Sequence, residues 1–162
     1  MQLTLFSDYA LRILLYLAVH EDQTVSVSQI ARAYRTSRHH MVKVAHLLVK
    51  LKLVRSVRGR NGGLQLAVPK NQINLGQVVR QTEPHFELVE CFNDATNTCP
   101  ISPACNLKGV LQHAQSRFLA VLDDLTVEDL MGKGPQLQAL WAEAAATEDD
   151  PPPTPPPAAS AG

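Results

Sequence analysis

The sequence is short of several things, and each shortage removes a class of function. Its longest unbroken apolar run, Ile13 to Val19, is seven residues, against the roughly 20 that a membrane-spanning helix requires. No basic segment precedes that run, so a secretory signal is not expected. The expectation is a cytoplasmic chain with no membrane partner. Cysteine is scarce: Cys91, Cys99 and Cys105 are the only three among 162 residues. An odd number in a reducing compartment argues against a disulfide framework. No C-x-x-C pair occurs, which makes structural zinc a poor match, because such sites favour closely spaced cysteine pairs. No nucleophile–base pair, phosphate loop or paired-carboxylate arrangement stands at meaningful spacing, so an enzyme is not expected. There is no internal repeat.

Net charge is also missing, and its absence is deceptive. The formal net charge is zero, yet residues 1–82 carry twelve Lys and Arg against three Asp and Glu, while residues 83–162 carry three against twelve. Such a split points to a basic half that meets a polyanion and an acidic half with another task. Apolar residues make up 45% and charged residues 19%, so most of the chain can bury a core, as one compact domain plus an appendage.

Periodicity organises the basic half. From Leu3 to His20, Phe6, Tyr9, Ile13, Tyr16 and Leu17 share one helical face, with Ser7 as the expected cap. Ser26-Val27-Ser28-Gln29 has the spacing of a capping box, and Ile30, Ala31 and Tyr34 supply the buried side of the short helix that follows. Arg35-Thr36-Ser37 breaks the pattern, and Ser37 is the expected cap of a third helix to about Lys52. There Met41, Val44, Leu48 and Leu51 recur on one side, and His39, Lys43, His46 and Lys50 on roughly the opposite side. Two strand-like stretches, 53–58 and 64–68, flank Gly59-Arg60-Asn61-Gly62-Gly63, whose Asn-Gly pair is a hairpin signal. The expected fold is mainly α with a small β-hairpin: a winged helix-turn-helix domain plus a long dimerisation helix.

Another helix is expected from Asn74 to before Pro84, then an irregular loop holding the cysteines. A long amphipathic helix runs from about Cys105 to Asp124, with Leu111 and Phe118 at the expected dimer seam. Four segments result: 1–80 binds DNA, 81–130 holds the cysteine loop and dimerisation helix, 131–147 is a helical extension, and 148–162 is a disordered acidic, proline-rich tail.

Duplex DNA needs cations for phosphates and a helix for base edges. The expected contacts are Ser28, Ser37, Arg38, His39, His40 and Lys43 around the third helix, with Arg55, Arg58, Arg60, Asn61 and Gly62 in the wing. Arg58 and Arg60 suit a neighbouring minor groove, and the tip glycines permit close backbone approach to a partner. The cysteines are spaced Cys91-x7-Cys99-x5-Cys105. Three thiolates on one loop suit three irons of a cubane cluster with the fourth iron held elsewhere. A metal-free thiol redox switch fits the same spacing.

Residues 1–130 resemble the winged-helix iron–sulfur regulator family, and most closely its nitric-oxide-sensing branch. The resemblance is carried by Leu3-Thr4-Leu5-Phe6-Ser7-Asp8-Tyr9-Ala10-Leu11-Arg12, by Ser37-Arg38-His39-His40-Met41-Val42-Lys43-Val44, by Val57-Arg58-Gly59-Arg60-Asn61-Gly62-Gly63, and by the cysteine loop. It implies a homodimer that binds an inverted-repeat operator, represses nitric oxide detoxification genes and releases DNA when nitric oxide attacks the cluster. It also implies a [4Fe–4S] cluster on Cys91, Cys99 and Cys105, with Asp8 of the partner subunit as fourth ligand; a [2Fe–2S] form is the expected product of oxygen damage. The IscR branch instead uses a histidine three residues after its last cysteine, where this chain has Lys108. An IscR-like regulator of iron–sulfur status and the metal-free thiol regulator are the alternatives. Read without the resemblance, Asp8 is an acid favoured by the dipole of a helix N-terminus.

Overall fold

Helix α1 (Leu5–Val19) is capped by Thr4, whose side chain accepts from the Ser7 backbone. Ser7 therefore does not take the capping role expected of it. Its hydroxyl is fully buried and lies 2.8 Å from that of Thr82. The capping box of α2 (Val27–Ala33) forms in both directions, Ser26 receiving the Gln29 amide and Gln29 receiving the Ser26 amide. Helix α3 (Arg38–Lys50) has Ser37 at its N-cap, but the Ser37 side chain makes no capping bond. Beyond Leu51, Lys52 adopts φ of 60° and the Leu53 amide returns to the Leu48 carbonyl at 3.0 Å. That is the left-handed helix stop usually given to glycine. The computed structural model describes residues 2–60 and 62–147; Asn61 and the tail 148–162, expected to be disordered, lie outside the described residues.

Strands β1 (Val54–Val57) and β2 (Gly63–Leu66) form one antiparallel hairpin with Val54 opposite Leu66 and Val57 opposite Gly63. A bridge between Leu64 and Val25 pins the hairpin to the entrance of α2. The tip glycines serve the chain's own geometry. Gly59 has φ of 118°, and a Cβ at Gly62 would stand 2.5 Å from the Val57 carbonyl oxygen.

Helix α4 (Leu75–Thr82) is capped by Asn74 and spans residue 80, so the boundary expected there falls within a helix. Helix α5 (Asn106–Asp123) packs on α4, and Arg80 grips Asp123 at 2.5 and 2.8 Å. After α5 the chain bonds back to residues 73–75, and Val127 enters the core with no exposed surface. Helix α6 covers Gly134–Ala146. The core joins Ala10, Ile13, Leu14 and Leu17 of α1 to Met41, Val44 and Leu48 of α3 and Val78 of α4.

On α3, Met41 is wholly buried whereas His46 is exposed. Met41→Ala should cost about 2–5 kcal/mol in denaturant unfolding, and His46→Ala should stay within about 0.5 kcal/mol. Equal losses would contradict this division of the helix.

Candidate nucleic-acid interface and cysteine loop

Burying Met41, Val44, Ala45 and Leu48 turns the opposite side of α3 outward. Arg38, His39, His40, Lys43, His46 and Lys50 are all exposed. Arg38 Nε donates to Ser28 Oγ at 2.9 Å, so the first turn of α3 and the start of α2 present one polar surface. Ser37 stands beside them, exposed and not engaged in capping. Arg55, Arg58 and Arg60 are exposed along the wing, and Gly62 is half-buried there. The structure thus brings the helix set into one surface and lines the wing with arginine, while Asn61 lies outside the described residues.

The α1 helix links this surface to its surroundings. The Tyr9 ring stacks near His40 of α3, centroids 6.4 Å apart and planes inclined by 28°. Arg12 lies over the Tyr9 and Tyr34 rings at 5.8 and 5.5 Å, and it grips Asp8 with two bonds of 2.8 and 2.9 Å. Burial pushes the Tyr34 phenol above its ordinary range, against the pull of the Arg12 cation. The Asp8–Arg12 pair is solvent-accessible, so its contribution to stability is small. Its geometry matters more: Asp8 is tied to an arginine that touches both the turn before α3 and the ring beside His40.

Cys91, Cys99 and Cys105 are free and half-buried. Among the described residues no three His, Cys, Asp or Glu side chains converge to hold a metal ion. The single chain therefore does not assemble the expected ligand set. The segment is nonetheless organised. Glu90 Oε1 accepts from the amide and the hydroxyl of Thr98, both at 2.9 Å, which joins the neighbour of Cys91 to the neighbour of Cys99. Those bonds, the Thr98 hydroxyl foremost, hold the Glu90 carboxyl below its usual range. Lys108 pairs with Asp94 at 3.0 Å, tying the loop to the first turns of α5 just beyond Cys105. Sequence reasoning passed over Glu90, Asp94 and Thr98, whose only signal is their closeness to Cys91 and Cys99. His85 and His113, which flank the cysteine loop in the sequence, are both exposed.

Leu111 and Phe118, expected at the seam, are half-buried in the single chain, on the side of α5 where Gln115 donates to the Phe86 carbonyl. The apolar residues that α5 leaves open are Leu107, Val110 and Val121, each 60–63% exposed.

These arrangements have known counterparts. The Rrf2 description, iron-dependent transcriptional regulator, matches residues 3–133. The chain is 52% identical over 141 residues to the HTH-type transcriptional regulator NsrR of Shouchella clausii, covering 86% of this chain and 95% of that protein. This chain belongs to the Rrf2 family. It is 50% identical to the NsrR of Halalkalibacterium halodurans, over 86% of this chain and 97% of that protein. The solved structure of T. potens IscR shares the fold, with a TM-score of 0.65 at 24% identity over 85% of this chain and 91% of that one. As an Rrf2 protein the chain is a DNA-binding transcriptional regulator and not an enzyme. Its described residues contain no helix long and apolar enough to cross a membrane.

The Glu90–Thr98 bracket generates a test. In metal-free protein, Thr98→Val removes one of its two bonds, and Cys91 and Cys99 should react with a thiol reagent about two- to fivefold faster. Unchanged rates would show that the bracket does not order the loop.

Proposed function

We propose that this Rrf2 protein is a homodimeric repressor whose grip on an inverted-repeat operator is set by a [4Fe–4S] cluster and relieved by nitric oxide. The observation that supports it best is the path along α1, where Asp8, Arg12, Tyr9 and His40 connect a candidate ligand to the recognition helix in three contacts. The donor chemistry suits such a cluster: three free thiols on one ordered loop, with a carboxylate offered from another element. Cys91, Cys99 and Cys105 would hold it, with Asp8 of the partner subunit as the fourth ligand. When bound, the cluster supplies an iron ligated by oxygen instead of sulfur, the position most open to a small diatomic ligand.

The chain's own residues do the rest. Engaging Asp8 elsewhere exchanges its bond to Arg12, and leaves that guanidinium to the Tyr9 and Tyr34 rings. Both rings flank α3, so the orientation of the recognition helix responds. Two half-sites about 34–36 Å apart tolerate little misplacement of paired helices. The open stripe of Leu107, Val110 and Val121 on α5 supplies a seam for the second copy. Arg38, His39, His40 and Lys43, with Ser28 and Ser37, face the major groove; Arg55, Arg58, Arg60, Asn61 and Gly62 follow the adjacent backbone and minor groove. The ion pair of Lys108 with Asp94 weighs against an IscR-like reading, which needs a ligand at that position.

Two variants separate the halves of this proposal. Cys99→Ala should abolish the cluster; about four irons per chain in that variant would remove Cys99 from the ligand set. Arg60→Ala should leave iron content intact, weaken binding to all duplexes and lower the salt slope by about one. An unchanged affinity at every salt concentration would remove the wing from the interface.

A further inference from the structure

Arg38, the first residue of α3, is tied to Ser28, the second residue of α2. Its Nε donates to Ser28 Oγ at 2.9 Å, a bond that joins the two helices of the helix-turn-helix where each begins. Among the described residues this is the only side-chain hydrogen bond of Arg38, and no carboxylate pairs with it. Two other arginines of the chain are held differently. Asp8 takes two nitrogens of Arg12 and Asp123 takes two of Arg80. Those carboxylates occupy the guanidinium fork and offset its charge; the neutral Ser28 hydroxyl does neither.

Nε is the inner nitrogen of the guanidinium. With it engaged, the side chain loses much of its freedom to rotate, while the outer nitrogens Nη1 and Nη2 keep their donors. Arg38 is exposed, so that outer edge is open to a partner. Two parallel N–H donors in one plane suit two acceptors in one plane. Duplex DNA offers such a pair as O6 and N7 of guanine in the major groove, and as two oxygens of a phosphate.

Position decides between them. The N-terminal residues of a recognition helix are the ones that reach base edges, and Arg38 opens α3. Phosphates are left to Lys43 and Lys50 farther along α3 and to Arg55 and Arg58 on the wing, all exposed. A phosphate contact draws on charge and carries no sequence information of its own. A base edge instead rewards a guanidinium whose plane is set beforehand, because less freedom is then lost on binding.

We propose that Arg38 is a base-reading residue that recognises one guanine in each half-site through O6 and N7, with Ser28 as the positioning residue that sets its guanidinium. The inference rests on the DNA-binding reading above and deepens it, by matching one side chain to one base of the operator.

The test uses the full chain and its Arg38→Ala, Ser28→Ala and Ser28→Thr variants. The full chain first selects its preferred duplex from a random-sequence library. Each protein is then titrated by fluorescence anisotropy against that duplex and against copies with single guanines replaced by 7-deazaguanine, which lacks the N7 acceptor, or by another base. One guanine per half-site should emerge whose replacement by another base costs the full chain about 5- to 150-fold in affinity, with a smaller loss for 7-deazaguanine. Arg38→Ala should bind the original and replaced duplexes alike. Ser28→Ala should keep the salt slope of the full chain, since no charge is lost, yet discriminate about three- to tenfold less at that guanine. Ser28→Thr, which retains the hydroxyl, should restore the discrimination. Arg38 is exposed and Ser28 half-buried, and an unchanged unfolding midpoint for each variant distinguishes a lost contact from a lost fold.

If Arg38→Ala weakens binding to every duplex equally, keeps every base preference and lowers the salt slope by about one, Arg38 is a phosphate contact and the proposal is overturned. Full discrimination by Ser28→Ala would overturn the positioning role. Failure of the full chain to bind any duplex would defeat the DNA-binding reading itself, and the assignment of Arg38 with it.

Discussion

The Ser7 and Thr82 hydroxyls, 2.8 Å apart and closed off from solvent, join the first helix to the fourth. The Thr82 hydroxyl donates to the Val78 carbonyl at 2.9 Å, so Ser7 is the donor between the helices, and a slip in register would leave its buried proton without an acceptor at a cost of about 1–3 kcal/mol. Beside that bond Glu83 receives the amide and the hydroxyl of Thr4 at 2.8 and 3.1 Å, fastening the start of α1 to the end of α4. The cysteine segment begins immediately afterwards. The helix that carries Asp8 and Arg12 is therefore anchored at the root of the cysteine loop, while its other residues wall the core behind α3. Helix α1 thus packs against both α4, at the loop root, and α3, the recognition helix.

That constraint explains the distribution of surface. Sinking Met41, Val44 and Leu48 into the core aims the polar side of α3 outward, and the Val25–Leu64 bridge holds the wing to the same body. On the acidic side, α5 is stitched to α4 by Arg80 and Asp123 and to the 73–75 segment beyond its end, yet its outer apolar stripe stays uncovered. The basic half thus carries the DNA-reading surface, and the acidic half leaves an apolar stripe open on α5. In the sequence the three cysteines fall between the wing and α5.

What could be read from the sequence was whatever is local. The α2 capping box closes within four residues, and the two faces of α3 follow from helical period alone, so both were legible. The hairpin register follows from the glycines, although their reason lies inside the chain, in the closeness of Val57 and Val25 to Gly62 and Gly63. Ser7 was misread as a cap because its true partner is 75 positions away. Helix α5 has apolar residues on two sides, and periodicity does not say that the chain half-covers Leu111 and Phe118 and leaves Leu107, Val110 and Val121 open. The packing of Trp141 among Tyr16, Tyr34 and His20, and the Glu90–Thr98 bracket, join distant or aperiodic residues and left no pattern. The pairing of Lys108 with Asp94 likewise left no pattern.

The claim at the centre is that metal occupancy in the cysteine loop sets DNA affinity through α1. The direct measurement is an oxygen-free titration of one inverted-repeat duplex with the same preparation in iron-loaded and metal-free forms, the loaded form being repeated after nitric oxide. The account predicts at least about tenfold tighter binding by the loaded form, equivalent to about 1.4 kcal/mol of coupling, and its loss after nitric oxide. Equal affinities for the loaded and metal-free forms would contradict it, leaving the loop and the reading helix as neighbours without communication.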